Sequence, residues 1–233
     1  MIRPIGLHCL GRRPARSDAK LFWESPASEP IGPLLASNVN VGLQKISEDN
    51  LLSTLTGVFR DYGYDGTSLS LIMKATGLVK ASLYHRFPGG KEEMATTVID
   101  RAAGEFASNL LAPLRESGDP AERLRETGER LRKFYGSGKK ACLLDTLTLH
   151  PESREVQARA KTALAFWIDS FARFASESCG LASSLAIERA QDAVSALEGG
   201  LVIARVSGNR GPFIRAIESL PERFMLLRRE DSK

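Results

Sequence analysis

The chain has 233 residues, with 32 Lys and Arg against 28 Asp and Glu for a formal net charge of +4, and is 42% hydrophobic and 26% charged. At roughly 150 residues per domain it holds one or two domains with a sizeable core, which excludes a disulfide-held miniature and disorder throughout. Cys9, Cys142 and Cys179 form no CxxC pair, no apolar run approaches the roughly 20 residues of a bilayer span, and the N-terminus lacks the apolar core of a signal peptide, so the expectation is a soluble cytoplasmic protein with reduced thiols, no metal and no cofactor.

The charge is unevenly placed. Residues 1–45 carry 6 basic against 3 acidic side chains, residues 46–91 carry 5 against 4, and residues 92–233 carry 21 against 21. Between residues 66 and 91 stand Lys74, Lys80, Arg86 and Lys91 with no acid at all, the signature of a small anion-facing unit on a neutral body. Three segments follow: a disordered extension over 1–45, a small helical domain over 46–91 and a helical body over 92–233.

Residues 1–45 hold five of the eleven prolines, an Arg12, Arg13 and Arg16 patch, and no apolar period; they read as a disordered extension, with a basic arm reaching a DNA minor groove as the functional alternative. From Ile46 the period is helical. Ser47 caps a helix with Glu48 and Asp49 in its first turn and Leu52, Leu55 and Phe59 on one face, ended by Tyr62-Gly63-Tyr64. A second helix of about two turns starts at Thr67 or Ser68, turns Leu69, Ile72 and Met73 inward, and stops at Gly77. A third, from Val79 or Lys80 to Phe87, has Val79, Leu83 and Phe87 in one stripe, which leaves Ala81, Ser82, Tyr84 and His85 outward with Lys80 and Arg86 at the flanks.

Downstream, helices are expected over 91–114, 120–135, 153–179, 183–207 and 212–227, with a shorter segment around 142–149. No run of alternating β-branched residues appears, so the class is all-α. Ala186, Ala190, Ala193, Leu197, Gly200, Leu201 and Ala204 form a small-residue stripe that, with Phe213, Ile217, Leu220, Phe224 and Leu227, suits either a four-helix interface across a two-fold axis or packing within the chain. Phe106, Leu110, Phe134, Leu147, Trp167 and Phe171 are candidate pocket residues and, individually, equally good core. Cys142 reads as a small buried thiol, with a redox or ligand contact as the alternative.

Two short helices joined by a glycine turn bury too little to be a core; their usual purpose is presentation, the second helix lying in the major groove of DNA. Thr67 and Ser68 at a helix start, Tyr84, and Lys91 at the next helix start suit phosphate contacts that position the protein. Lys80, Ala81, Ser82, His85 and Arg86 suit base edges.

The run from Thr67 to Met94, with Tyr62-Gly63-Tyr64 before it, the Ala75 and Gly77 turn, Ser82-Leu83-Tyr84, Phe87 and Lys91, resembles the N-terminal domain of the TetR/AcrR family of bacterial transcriptional regulators over about fifty residues. The Phe87-Pro88-Gly89-Gly90-Lys91 spelling resembles the branch related to the lincomycin-resistance repressor. The resemblance implies a homodimer with a three-helix helix-turn-helix domain and a larger helical domain that takes a small molecule, with Thr67, Lys80, Ala81, Ser82, Tyr84, Arg86 and Lys91 at positions that commonly touch DNA. Arg86 stands where many members have His, and the basic segment before the first helix is reduced to Lys45.

The expected function is a ligand-responsive repressor that binds a palindromic DNA operator as a dimer and is released by a small apolar effector, not an enzyme. A helical small-molecule-binding enzyme or an effector-less interaction module are the alternatives. Catalysis has little support: Gly89-Gly90-Lys91 lacks the first glycine of a phosphate-binding loop and follows no strand, and HExxH, GxSxG and GxGxxG are missing.

Overall fold

The computed structural model describes residues 46–149 and 153–225. The N-terminal extension with its Arg12, Arg13 and Arg16 patch, His8, Cys9, Lys45, His150, Pro151 and Leu227 lie outside the described residues.

Among the described residues the structure is all-α and no helix is long and apolar enough to cross a membrane. Helix α1 spans Glu48–Gly66, α2 Leu69–Thr76, α3 Lys80–Arg86 and α4 Gly90–Glu105. Ser47 caps α1 by accepting the Asn50 N–H at 3.3 Å. The helical path of α1 breaks at Gly63, whose φ of 67° is the left-handed region open to glycine; a Cβ there would also stand 2.9 Å from the Thr146 carbonyl oxygen.

The chain then departs from one long connecting helix. Regular α-geometry stops at Glu105, a π-helical turn covers Phe106–Leu110 and a 3-10 turn covers Ala112–Arg115. Pro113 has no N–H to continue an α-helix, and the wider π turn leaves both Leu110 and Leu111 buried. The body adds α5 (Pro120–Phe134), α6 (Leu143–Thr148), α7 (Arg154–Cys179), α8 (Ser183–Ser207), α9 (Gly211–Glu218) and α10 (Leu220–Met225). The last two were expected as one helix. Pro221 cannot donate the N–H that would carry α9 onward, so the chain restarts at Leu220.

Two apolar clusters hold the fold. One joins Leu55 and Phe59 of α1, Ile72 of α2, Leu83 of α3 and Met94 and Val98 of α4 to Leu143 and Leu147 of α6 and Val156 and Ala160 of α7. The first four helices are thereby seated on α6 and α7. The other gathers Trp167, Phe171 and Phe174 of α7 with the α8 stripe and Phe213, Ile217, Leu220 and Phe224. The small-residue stripe is therefore filled from within the chain: Ala186, Ala190, Ala193, Leu197, Leu201 and Ala204 are buried, and Gly200 lets α9 approach so closely that a Cβ would meet Phe213 Cα at 2.6 Å. Its opposite face leaves Ile187, Val202, Ile203 and Val206 exposed, Val206 at 79%.

Candidate nucleic-acid interface

The short pair α2 and α3 is built around few anchors. Ser68, rather than Thr67, caps α2, accepting the Leu71 N–H at 3.2 Å. Gly77 closes the helix in the left-handed conformation at φ 70°, its N–H donating to Met73 O at 2.9 Å. Thr76 is buried, donates to Ile72 O at 2.7 Å and accepts from Leu78 N–H at 3.3 Å, which fixes the turn from the inside. Ala75, two residues before the turn glycine, is exposed.

On α3, Leu83 and Phe87 face the core. Val79 does not join them: it is the residue before the helix, extended in backbone and 59% exposed. A two-point seat suffices for a helix of seven residues, and it leaves Lys80, Ala81, Tyr84, His85 and Arg86 exposed, with Ser82 half-buried. Tyr84 is 43% exposed, and Lys80 Nζ lies 5.8 Å from its ring centroid. With Lys74 and Ser68 also exposed, the face carries three cations, a histidine and several hydroxyls, and residues 66–91 contribute no carboxylate. Such a surface draws a polyanion and offers donors of several lengths to it.

Two expected site residues are placed otherwise. Thr67 is 1% exposed and its hydroxyl donates to the Gly63 carbonyl at 2.6 Å, so it closes the end of α1 instead of reaching outward. Lys91 is half-buried, with Nζ donating to Tyr64 O at 3.0 Å and lying 4.3 Å from the Tyr64 ring centroid. It ties α4 to α1 and keeps two further N–H donors. The start of α4, expected to favour an external anion, is served by its own acid: Glu93 accepts the Gly89 N–H at 2.7 Å.

In the body, Phe106, Phe134 and Trp167 meet edge to face, with Phe106 5.3 Å from Phe134 and 5.0 Å from Trp167. They line a small cavity of about 30 Å³, room for one or two waters, together with Tyr135, Cys142 and Arg60. Of the other candidates, Leu110 and Phe171 belong to the C-terminal core and Leu147 to the core beneath the short helices. Tyr135 donates to Cys142 Sγ at 3.7 Å. Burial pushes the Cys142 thiol up to about 12, with the Glu198 carboxyl adding to the effect, and pushes Tyr135 well above its ordinary value. Glu198 on α8, which the sequence did not single out, is pushed up to about 7, first by burial and then by Asp145 nearby, against hydrogen bonding from Cys142 and the charge of Arg205.

The description "Bacterial regulatory proteins, tetR family" matches residues 51–98, from α1 into α4. The chain is 27% identical over 180 residues to the HTH-type transcriptional regulator YxaF of Bacillus subtilis, covering 75% of this chain and 93% of the relative. It is 26% identical over 180 residues to the HTH-type transcriptional regulator LmrA of the same organism, covering 76% and 95%. Among solved structures, a cysteine mutant of the TetR family transcriptional regulator CifR, complexed with 26bp double-strand operator DNA, superposes with a TM-score of 0.64 at 22% identity, covering 77% of this chain and 97% of that one. Residues 51–98 thus carry the tetR-family match, and over about three quarters of its length the chain is similar to these transcriptional regulators and shares the all-helical fold of the solved neighbour.

Proposed function

We propose that this protein is a dimeric repressor whose α3 helices read a palindromic operator and which a small molecule bound in the body releases. The observation that carries the reading is the exposed face of α3: Lys80, Tyr84, His85 and Arg86 stand outward on a segment with no acid. In this reading residues 46–91 are the reading head and residues 92–233 the regulatory body. Ser68, Tyr84 and Lys91 contact phosphates, Lys91 through the donors that Tyr64 leaves open, while Lys80, Ala81, Ser82, His85 and Arg86 contact base edges. Thr67 contributes through the turn it closes.

The exposed apolar residues Val202, Ile203 and Val206 of α8 support a two-fold contact between protomers, which sets two α3 helices in major grooves about one helical turn, roughly 34–36 Å, or a multiple of it apart. Release follows from the position of Phe106. It begins the π turn at the end of α4, the helix whose other end follows α3, and it also packs on Phe134 and Trp167. A molecule that separates these rings displaces the end of α4 and tilts the reading head. Driving the population from 1:99 to 99:1 takes about 5.5 kcal/mol of differential binding, shared between two sites in a dimer.

Recovering bound fragments from random-sequence duplexes at fixed salt tests the reading. A palindromic consensus is expected; a non-palindromic consensus removes the dimeric arrangement, and no enrichment removes the operator.

A further inference from the structure

The narrow aromatic cavity has a neighbour of a different character. Beside it lies a solvent-open cleft of about 940 Å³ between α1, the end of α4, the end of α5 and α8. Its wall carries seven basic side chains against two acids, Asp61 and Glu105. Arg101 and Arg205 are paired, to Asp49 at 3.1 Å and Asp145 at 2.8 Å. Arg60, Lys133, Lys139, Lys140 and Arg210 have no ion pair among the described residues. Five cations without an ion pair around one concavity, four of them exposed and Arg60 half-buried, make a standing attraction for an anion, because the low-dielectric walls focus their field.

Arg60, Ala102 and Phe134 line both the cleft and the inner cavity, so the two adjoin at these residues. At that junction the Arg60 guanidinium lies 5.0 Å from the Phe134 ring centroid, and its Nε–H is buried with no hydrogen-bond partner. Deeper in, the Trp167 side chain is 2% exposed and its indole N–H is also unpartnered. A buried donor without an acceptor is costly to keep, so two of them lining adjoining spaces mark where an occupant's acceptors belong.

From this arrangement we infer that the effector is an anionic amphiphile: a small molecule whose carboxylate, phosphate or sulfonate head rests in the basic cleft against Arg60, Lys139 and Lys140, and whose aromatic or apolar body parts Phe106 from Phe134 and Trp167. An acceptor on that body takes the Trp167 N–H. The inference rests on the reading above that the body binds an effector, and it replaces a purely apolar ligand with one carrying a charge. The inner cavity is too small for a ring as it stands, so entry requires the Phe106 ring to move, and that ring belongs to the end of α4.

Two fluorescent dyes of one skeleton, anilinonaphthalene sulfonate and the uncharged phenylnaphthylamine, separate head from body. With the full-length protein the sulfonate is expected to bind one per chain, roughly tenfold more tightly than the neutral dye, and to weaken between about 50 mM and about 300 mM salt while the neutral dye does not. Lys139→Gln with Lys140→Gln, both exposed, is expected to narrow the gap to about threefold or less. Ala163→Phe, which fills the inner cavity, is expected to abolish both dyes, with Leu144→Phe as a second block. Equal binding of the two dyes, or a lysine variant that leaves the gap intact, overturns the anionic head while leaving an effector cavity in place. Binding of both dyes undisturbed by either block overturns the cavity itself and with it the effector reading.

Discussion

Glu198 offers a stability signal whose size and pH window both follow from its surroundings. Its carboxyl is held at about 7, against 4.5 for the free side chain, chiefly because α8 carries it into the body beside Cys142. A raised acid binds protons more tightly in the folded than in the unfolded state, so its contribution is present in full below about pH 4.5 and is lost as pH rises to about 7. A difference of that size corresponds to about 3 kcal/mol between the two ends of the window. Glu198→Gln keeps the shape and removes the ionisation. Relative to the parent, it is expected to gain little near pH 5 and about 3 kcal/mol at pH 8, read as urea unfolding free energies at fixed protein concentration. The difference between the two proteins isolates this group from every other titration. A difference that stays flat from pH 4.5 to pH 8 would refute the placement of a desolvated carboxyl beside Cys142.

Other consequences can be measured separately. Gly63→Ala is expected to cost at least 1–2 kcal/mol, about the strain of a left-handed backbone, with more from the Thr146 carbonyl 2.9 Å from the new Cβ; an unchanged urea midpoint would contradict it. Leu83→Ala removes a fully buried anchor of α3 and is expected to cost about 2–5 kcal/mol, visible as lost amide protection over residues 80–87 before global unfolding. Cys142, pushed up to about 12, should alkylate at pH 8 about a thousandfold more slowly in the folded than in the unfolded protein by peptide mapping, and equal rates would show the thiol to be accessible. Tyr84→Phe should weaken binding to all duplexes alike, whereas Lys80→Ala and Arg86→Ala should each alter sequence preference by about 1–3 kcal/mol per lost base contact, and uniform losses for all three would end that division of labour.

Much of the fold is legible in the chain because caps and periods agree with it. Ser47, Ser153, Gly77 and Gly180 mark helix ends that the structure reproduces, and the three- and four-residue apolar spacing of α7 survives as a buried face at Val156, Ala160, Trp167, Phe171 and Phe174, while Leu164 of the same spacing is 38% exposed. The misjudged elements each lie near a proline. Pro113 marks the end that the apolar spacing gives the helix over 91–114, yet regular α-geometry already stops at Glu105, and Pro221 sits inside the period over 212–227 where a continued helix would need an N–H. The stripe on α8 illustrates a second limit: periodicity shows which face is buried but not which molecule buries it, and α7 and α9 supply the cover within one chain.

The outward face of α3 was legible where exposure follows from helical spacing, as for Lys80, Tyr84 and Arg86. It was not legible where a side chain bends back to the backbone. Thr67 and Lys91 are polar residues at helix starts, and only the carbonyls of Gly63 and Tyr64, presented by the broken end of α1, decide that their polar groups turn inward. Glu198 and the basic cleft were hidden for a related reason: α1, α5 and α8 are distant in sequence, and their charges meet only after folding.

The most direct test of α3 as the reading helix is a gel-retardation titration of pooled and then selected duplexes with the parent protein and a Lys80→Ala, Arg86→Ala double variant, both checked for unchanged helicity. Retardation by the parent and a loss of roughly a hundredfold or more on the selected duplex for the variant is the expected result. No retardation by the parent in dilute buffer, or a variant that binds the selected duplex as tightly, would contradict it.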